Sequence, residues 1–161
     1  MGIEIERKFL VTGDGWRQQS QRSLEMRQGY LAGEGGRASV RVRLEGTEAR
    51  LNIKAAVVGA ARAEYEYPMP VDDARKLLET LCVGTLEKVR YYIEREGLTW
   101  EVDEFLGANA GLVVAEIELD AVDQPFSRPE WLGRELTDDR RYYNHHLAIH
   151  PYLTWPDADR H

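Results

Sequence analysis

The chain has 161 residues with 43% hydrophobic and 30% charged side chains, which fits one globular domain over residues 1–161 and excludes a disordered chain; the single cysteine, Cys82, excludes an internal disulfide. No apolar run is long enough to cross a bilayer, and a net charge of −7 argues against general affinity for nucleic-acid duplexes, although a local pocket can still be basic. From Met1 the chain runs straight into alternating Ile and Glu, without the basic segment and apolar stretch of a signal peptide, so a cytoplasmic protein with no membrane partner is expected.

Period-two alternation interrupted by turn residues predicts eight antiparallel strands, at about Gly2–Val11, Met26–Ala32, Arg37–Glu45, Glu48–Ala56, Ala63–Met69, Leu86–Arg95, Leu98–Phe105 and Leu112–Ala121. Gly33-Glu34-Gly35-Gly36 lacks the Lys-Ser/Thr of a P-loop and reads as a hairpin loop. After Pro70, Val71, Ala74, Leu77, Leu78 and Leu81 follow helical spacing, which predicts a helix over Val71–Cys82 with Asp72 and Asp73 at its positive end. Cys82 then reads as a small core residue. A short helix containing Trp131 and Leu132 is expected after Pro129, and a second full helix over Asp138–Ile149 with Thr137 as N-cap. The fold class is therefore α+β, mainly antiparallel β.

The polar faces of these strands are unusually ordered. Ile3, Ile5 and Phe9 alternate with Glu4, Glu6 and Lys8; Val40, Val42 and Leu44 with Arg41 and Arg43; Leu51 and Ile53 with Asn52 and Lys54. The pattern continues through Glu64 and Glu66, Lys88 and Arg90, Asp103 beside a less certain Glu101, and Glu116 and Glu118. Each pair alone fits a solvated sheet face with cross-strand ion pairs worth roughly 0.2–1 kcal/mol. Nearly every strand repeats it, however, and the opposite faces are apolar and need cover. A closed barrel satisfies both conditions by turning the charged faces into its lumen. Like charges crowded there are costly unless bridged. Clustered carboxylates suit Mg²⁺ or Mn²⁺ and clustered Arg and Lys suit phosphate oxygens, so a linear triphosphate carrying metal would answer both sets.

In order along the chain, Glu4-Ile5-Glu6-Arg7-Lys8, Arg41-Val42-Arg43, Asn52-Ile53-Lys54, Glu64-Tyr65-Glu66, Lys88-Val89-Arg90-Tyr91, Asp103 and Glu116-Ile117-Glu118 resemble the CYTH-domain, or triphosphate tunnel metalloenzyme, family. The resemblance implies an eight-stranded closed antiparallel tunnel with a few peripheral helices. It also implies phosphate ligands Lys8, Arg41, Arg43, Lys54, Lys88 and Arg90, and metal ligands among Glu4, Glu6, Asp103, Glu116 and Glu118. Glu64 and Glu66 either bind metal or orient the bases beside them. Arg27-Gln28-Gly29-Tyr30-Leu31 and Glu135-Leu136-Thr137-Asp138-Asp139-Arg140-Arg141-Tyr142 are similar to the inorganic triphosphatase subgroup. The implied activity is metal-dependent hydrolysis of inorganic triphosphate to pyrophosphate and orthophosphate. A class IV-type adenylate cyclase, a nucleoside or thiamine triphosphatase, and a non-catalytic polyphosphate-binding module are the alternatives. Self-association into a homodimer stays open.

Within that expectation, Lys8 is a candidate base and Tyr30 a partner that orients the attacking water, against a bland reading of Tyr30 as a barrel-wall aromatic. His146 and His150 form an i, i+4 pair of the kind that can bind zinc, but no third ligand at suitable spacing is evident. The pair is therefore set aside.

Overall fold

The computed structural model describes residues 2–160. Its strands are β1 (Gly2–Val11), β2 (Arg22–Tyr30), β3 (Ala38–Glu45), β4 (Glu48–Ala55), β5 (Ala61–Pro68), β6 (Gly84–Arg95), β7 (Leu98–Phe105), β8 (Val113–Glu118) and β9 (Leu132–Glu135). Two α-helices, α1 (Val71–Thr80) and α2 (Asn144–Ile149), and several short 3₁₀ turns complete it. The sheet runs β5-β4-β3-β2-β6-β7-β8-β1, and β5 returns to β1 to close eight antiparallel strands into a barrel. Closure removes the open edges that such a strongly two-faced sheet would otherwise expose.

β1 is long enough to serve three partners. Gly2–Ile5 pair with β5, Glu6–Leu10 with β8, and Phe9 and Val11 with β9. That last pairing corrects the helix expected after Pro129. Once β5 has ended, the edge of β1 still needs hydrogen-bond partners, and Leu132–Glu135 fill it as a strand. Trp131 is buried at its start.

The barrel inverts the usual arrangement, because its apolar residues pack mainly on the outside. Val42 and Ala49 lie under Ala74 and Leu78 of α1. Phe9, Trp100, Val102, Ala115 and Ile117 pack against Trp16 and Trp131 from the connecting segments. One end of the interior is also apolar. There Tyr30, Leu86, Phe105 and Val114 meet Tyr142, Leu147, Tyr152 and Trp155 of the C-terminal segment, so that end is plugged. Two glycines permit close approach of the outer layers. A Cβ on Gly29 would stand 2.7 Å from Cys82 Sγ, and one on Gly84 would stand 2.5 Å from the Ala148 carbonyl oxygen.

Other boundaries also shift. β2 starts at Arg22 rather than Met26, β5 at Ala61 rather than Ala63, β6 at Gly84 rather than Leu86, and α1 stops at Thr80. The helix expected over Asp138–Ile149 is broken into a 3₁₀ turn at Arg140–Tyr142 and α2, with Tyr143 extended between them (φ −71°, ψ 140°). Thr137 is not its cap. Its hydroxyl instead accepts from the Lys8 backbone N–H at 3.0 Å and donates to Glu135 at 2.6 Å, while Asp139 caps the turn by accepting from the Arg141 N–H.

Candidate active site

Alternation along the strands delivers their charged side chains to one cavity of about 480 Å³. β1 contributes Glu4, Glu6 and Lys8; β3 Arg41 and Arg43; β4 Asn52 and Lys54; β5 Arg62, Glu64 and Glu66; β6 Lys88 and Arg90; β8 Glu116 and Glu118. Strand register sets their neighbours: Glu6 lies opposite Glu118 and Lys8 opposite Glu116, while Glu101 of β7 lies opposite Glu116. The C-terminal segment adds Arg140, Tyr143, Asn144 and His145 to the wall.

The cations crowd one another. Burial lowers Arg43 to about 10, with Arg41 and Arg90 adding repulsion. Burial likewise lowers Lys88 to about 7, against the pull of Asp103 and with the push of Arg90 and Arg43. Arg41 is buried with its Nε unpartnered, and its Nη2 reaches Glu66 only at 3.4 Å. A buried donor without an acceptor is costly, and an anion in the cavity would supply acceptors to this group.

The carboxylates crowd in the same way. Glu6 is pushed up to about 8 by burial and by Glu116. Burial also raises Glu4, against the ammonium of Lys54 2.9 Å away, and burial with Glu101 and Glu64 raises Glu118. Four carboxylates around one space, two of them opposed across β1 and β8, are hard oxygen donors of the kind that hold Mg²⁺ or Mn²⁺. Glu116 is the exception in charge balance. Although burial opposes it, Lys8, Arg90 and Lys88 hold its carboxyl well below the usual range.

Asp103, placed among the metal ligands by the family resemblance, stands behind this lining. It is fully buried, and its oxygens accept from Lys88 Nζ at 2.7 Å and from Arg90 Nε and Nη2 at 2.8 and 2.9 Å. Both cations thereby point from a fixed base. Glu64 and Glu66 each accept from Asn52 Nδ2 at 3.0 Å, and Glu64 lies 3.6 Å from Lys54. Lys8 Nζ donates to the Tyr142 carbonyl at 3.2 Å and lies 4.0 Å from Glu116. The Tyr30 hydroxyl accepts from Gln28 at 3.1 Å and its ring stacks on His145 with centroids 4.4 Å apart. Tyr30 lines the cavity, held by Gln28 of β2 and His145 of α2.

Some lining residues escaped the sequence reading, and one, Glu101, was named there only as less certain. Arg62 shares the period of Glu64 and Glu66 and was lost because β5 begins two residues earlier than expected. Glu101 shares the parity of Asp103. Asn144, which accepts from Lys88 Nζ at 2.8 Å, and His145 arrive from a remote segment with no local signal.

The CYTH domain family model matches residues 2–146. The chain is 48% identical over 158 residues to an inorganic triphosphatase of Acetivibrio thermocellus, covering 98% of this chain and 100% of the relative. It is 36% identical over 151 residues to an inorganic triphosphatase of Nitrosomonas europaea, covering 91% and 97%. The crystal structure of the inorganic triphosphatase NE1496 matches with a TM-score of 0.66 at 35% identity, over 91% of this chain and 97% of that one. The chain thus belongs to the CYTH-domain family.

Proposed function

We propose that this protein hydrolyses inorganic triphosphate to pyrophosphate and orthophosphate with a divalent cation, Mg²⁺ or Mn²⁺, in the cytoplasm. The observation that carries the reading is the presence, in one cavity, of two crowded sets of opposite charge: the cations Arg41, Arg43, Lys88 and Arg90 and the carboxylates Glu4, Glu6, Glu116 and Glu118. A binding module for polyphosphate would need the first set alone. Relatives at 48% and 36% identity that are named inorganic triphosphatases favour the same substrate.

In this reading water attacks a terminal phosphorus, the bridging P–O bond breaks and pyrophosphate leaves. Glu4, Glu6, Glu116 and Glu118 would hold a divalent cation, which would supply charge neutralisation and Lewis-acid activation of water. Arg41, Arg43, Lys54 and Arg90 bind and align the phosphate oxygens and stabilise charge on the transferring group. Asp103 acts as a positioning residue that aims Lys88 and Arg90, and Glu64 and Glu66 orient Asn52, Arg41 and Lys54. Lys8 binds a phosphate oxygen through its ammonium, and only in its neutral form would it take the proton that the attacking water releases. Tyr30 shapes the wall.

The test offers tripolyphosphate, ATP and thiamine triphosphate in parallel with Mg²⁺ or Mn²⁺ and follows orthophosphate, pyrophosphate and cyclic AMP. Rapid, chelator-sensitive release from tripolyphosphate is expected. Cyclic AMP formation, or tight binding without release, would overturn the assignment.

A further inference from the structure

Outside the ring of tunnel carboxylates, a second set of metal-ligating side chains converges at the cavity rim. Glu34, in the loop between β2 and β3, lies 3.0 Å from His146 Nδ1 through one oxygen and 3.3 Å from His150 Nε2 through the other. All three residues offer ligand atoms within 4.8 Å of one another. A tetrahedral zinc ion with bonds of about 2.0–2.1 Å needs ligand atoms roughly 3.3 Å apart, close to these spacings.

The supports of the cluster are in place. His146 and His150 are one helical turn apart at the end of α2, with their rings 4.5 Å apart and tilted by 31°. Trp155 Nε1 donates to the His150 carbonyl at 2.9 Å and its ring lies against His146. Glu34 is an exposed residue whose side chain keeps 31% of its accessible surface, and it belongs to the cavity wall. The third ligand missing from the local sequence is thus supplied from 112 residues away.

We infer that Glu34, His146 and His150 form a site for a zinc-class divalent cation that clamps the Gly33–Gly36 loop to α2 at the rim of the cavity. Imidazole and carboxylate ligands favour Zn²⁺ and its transition-metal neighbours over Mg²⁺, so this site and the all-carboxylate set select different ions. Because α2 also carries Asn144 and His145 into the cavity, the clamp fixes both sides of that rim together. The inference stands whether or not the tunnel hydrolyses triphosphate.

The experiment uses the full-length protein, freed of metal by chelation, without phosphate. Zn²⁺ is titrated by calorimetry and Co²⁺ by visible absorption. One equivalent is expected to bind with a spectrum of nitrogen ligation. Even a group that only supports a metal ligand is worth about 10- to 100-fold in affinity, so Glu34→Gln, His146→Ala and His150→Ala should each weaken binding by at least about tenfold. The combined Glu4→Gln and Glu118→Gln protein should keep the site. His150 is more than half exposed, so His150→Ala keeps its fold and serves if His146→Ala does not. Zn²⁺ should also slow amide exchange at residues 33–36 in the wild type and not in His150→Ala. Absence of binding would overturn the inference, as would binding that survives loss of both histidines but not of the tunnel carboxylates. Metal binding with unchanged exchange at 33–36 would overturn the clamp.

Discussion

On the inner face of β1, Lys8 has two ways to act on a bound triphosphate, as a ligand to phosphate oxygen or as a proton acceptor beside Glu116. Lys8→Ala separates them: kcat should fall about 10²-fold or more if it carries a proton. An unchanged kcat with a raised KM would leave it a ligand only. Glu6 has a thermodynamic signature of its own. Its pKa is raised from 4.5 to about 8, so between those values the folded protein keeps a proton that the unfolded chain releases. Its contribution to the stability of the metal-free protein therefore decreases as pH rises through that window and levels off above pH 8. Glu6→Gln lacks this slope. Thermal unfolding with chelator should give similar Tm values for the two proteins near pH 5 and a higher Tm for Glu6→Gln near pH 8, and a constant difference would refute the charge crowding. At this scale the sequence was highly readable wherever alternation was unbroken, as at Glu4, Glu6 and Lys8. Asp103 has the parity the alternation predicts, and its oxygens accept from Lys88 and Arg90.

Among the elements, α2 and its C-terminal surroundings tie the barrel plug to the cavity. Gly84 is the position where β6 admits that segment, and Gly84→Ala would force a methyl group to within 2.5 Å of the Ala148 carbonyl oxygen. Backbone cannot yield cheaply there, so a loss of about 1–3 kcal/mol is expected from overpacking. KM should rise as well, because Asn144 and His145 move with α2. Gly15→Ala, in open space, is the control, and denaturation curves that coincide for both variants would refute the role of the contact. α1 serves the outside only. Leu78→Ala, in the layer over Val42, should cost about 2–5 kcal/mol in urea unfolding and leave KM unchanged at temperatures where the protein stays folded. Helix α1 was legible because its apolar spacing is local. β9 was not, because Leu132–Glu135 become a strand only through the free edge of β1.

For the molecule as a whole, the closed barrel concentrates opposite charges that neither solvent nor each other can fully satisfy. Pyrophosphate and Mg²⁺ added together should therefore raise Tm by more than the sum of their separate effects, since each ligand supplies the counter-charge that the other's site lacks. Strictly additive shifts in differential scanning fluorimetry would mean that the two sets act independently. The sequence by itself determined which residues face inward, because a strand's period of two is a local property and one uncovered apolar face demands a barrel. Only the tertiary structure decided which inward charges remain at the cavity wall, where the C-terminal segment closes it, and that Glu34 meets His146 and His150. Those outcomes depend on register, on packing of a remote segment and on contacts across more than a hundred residues, none of which leaves a periodic mark in the chain.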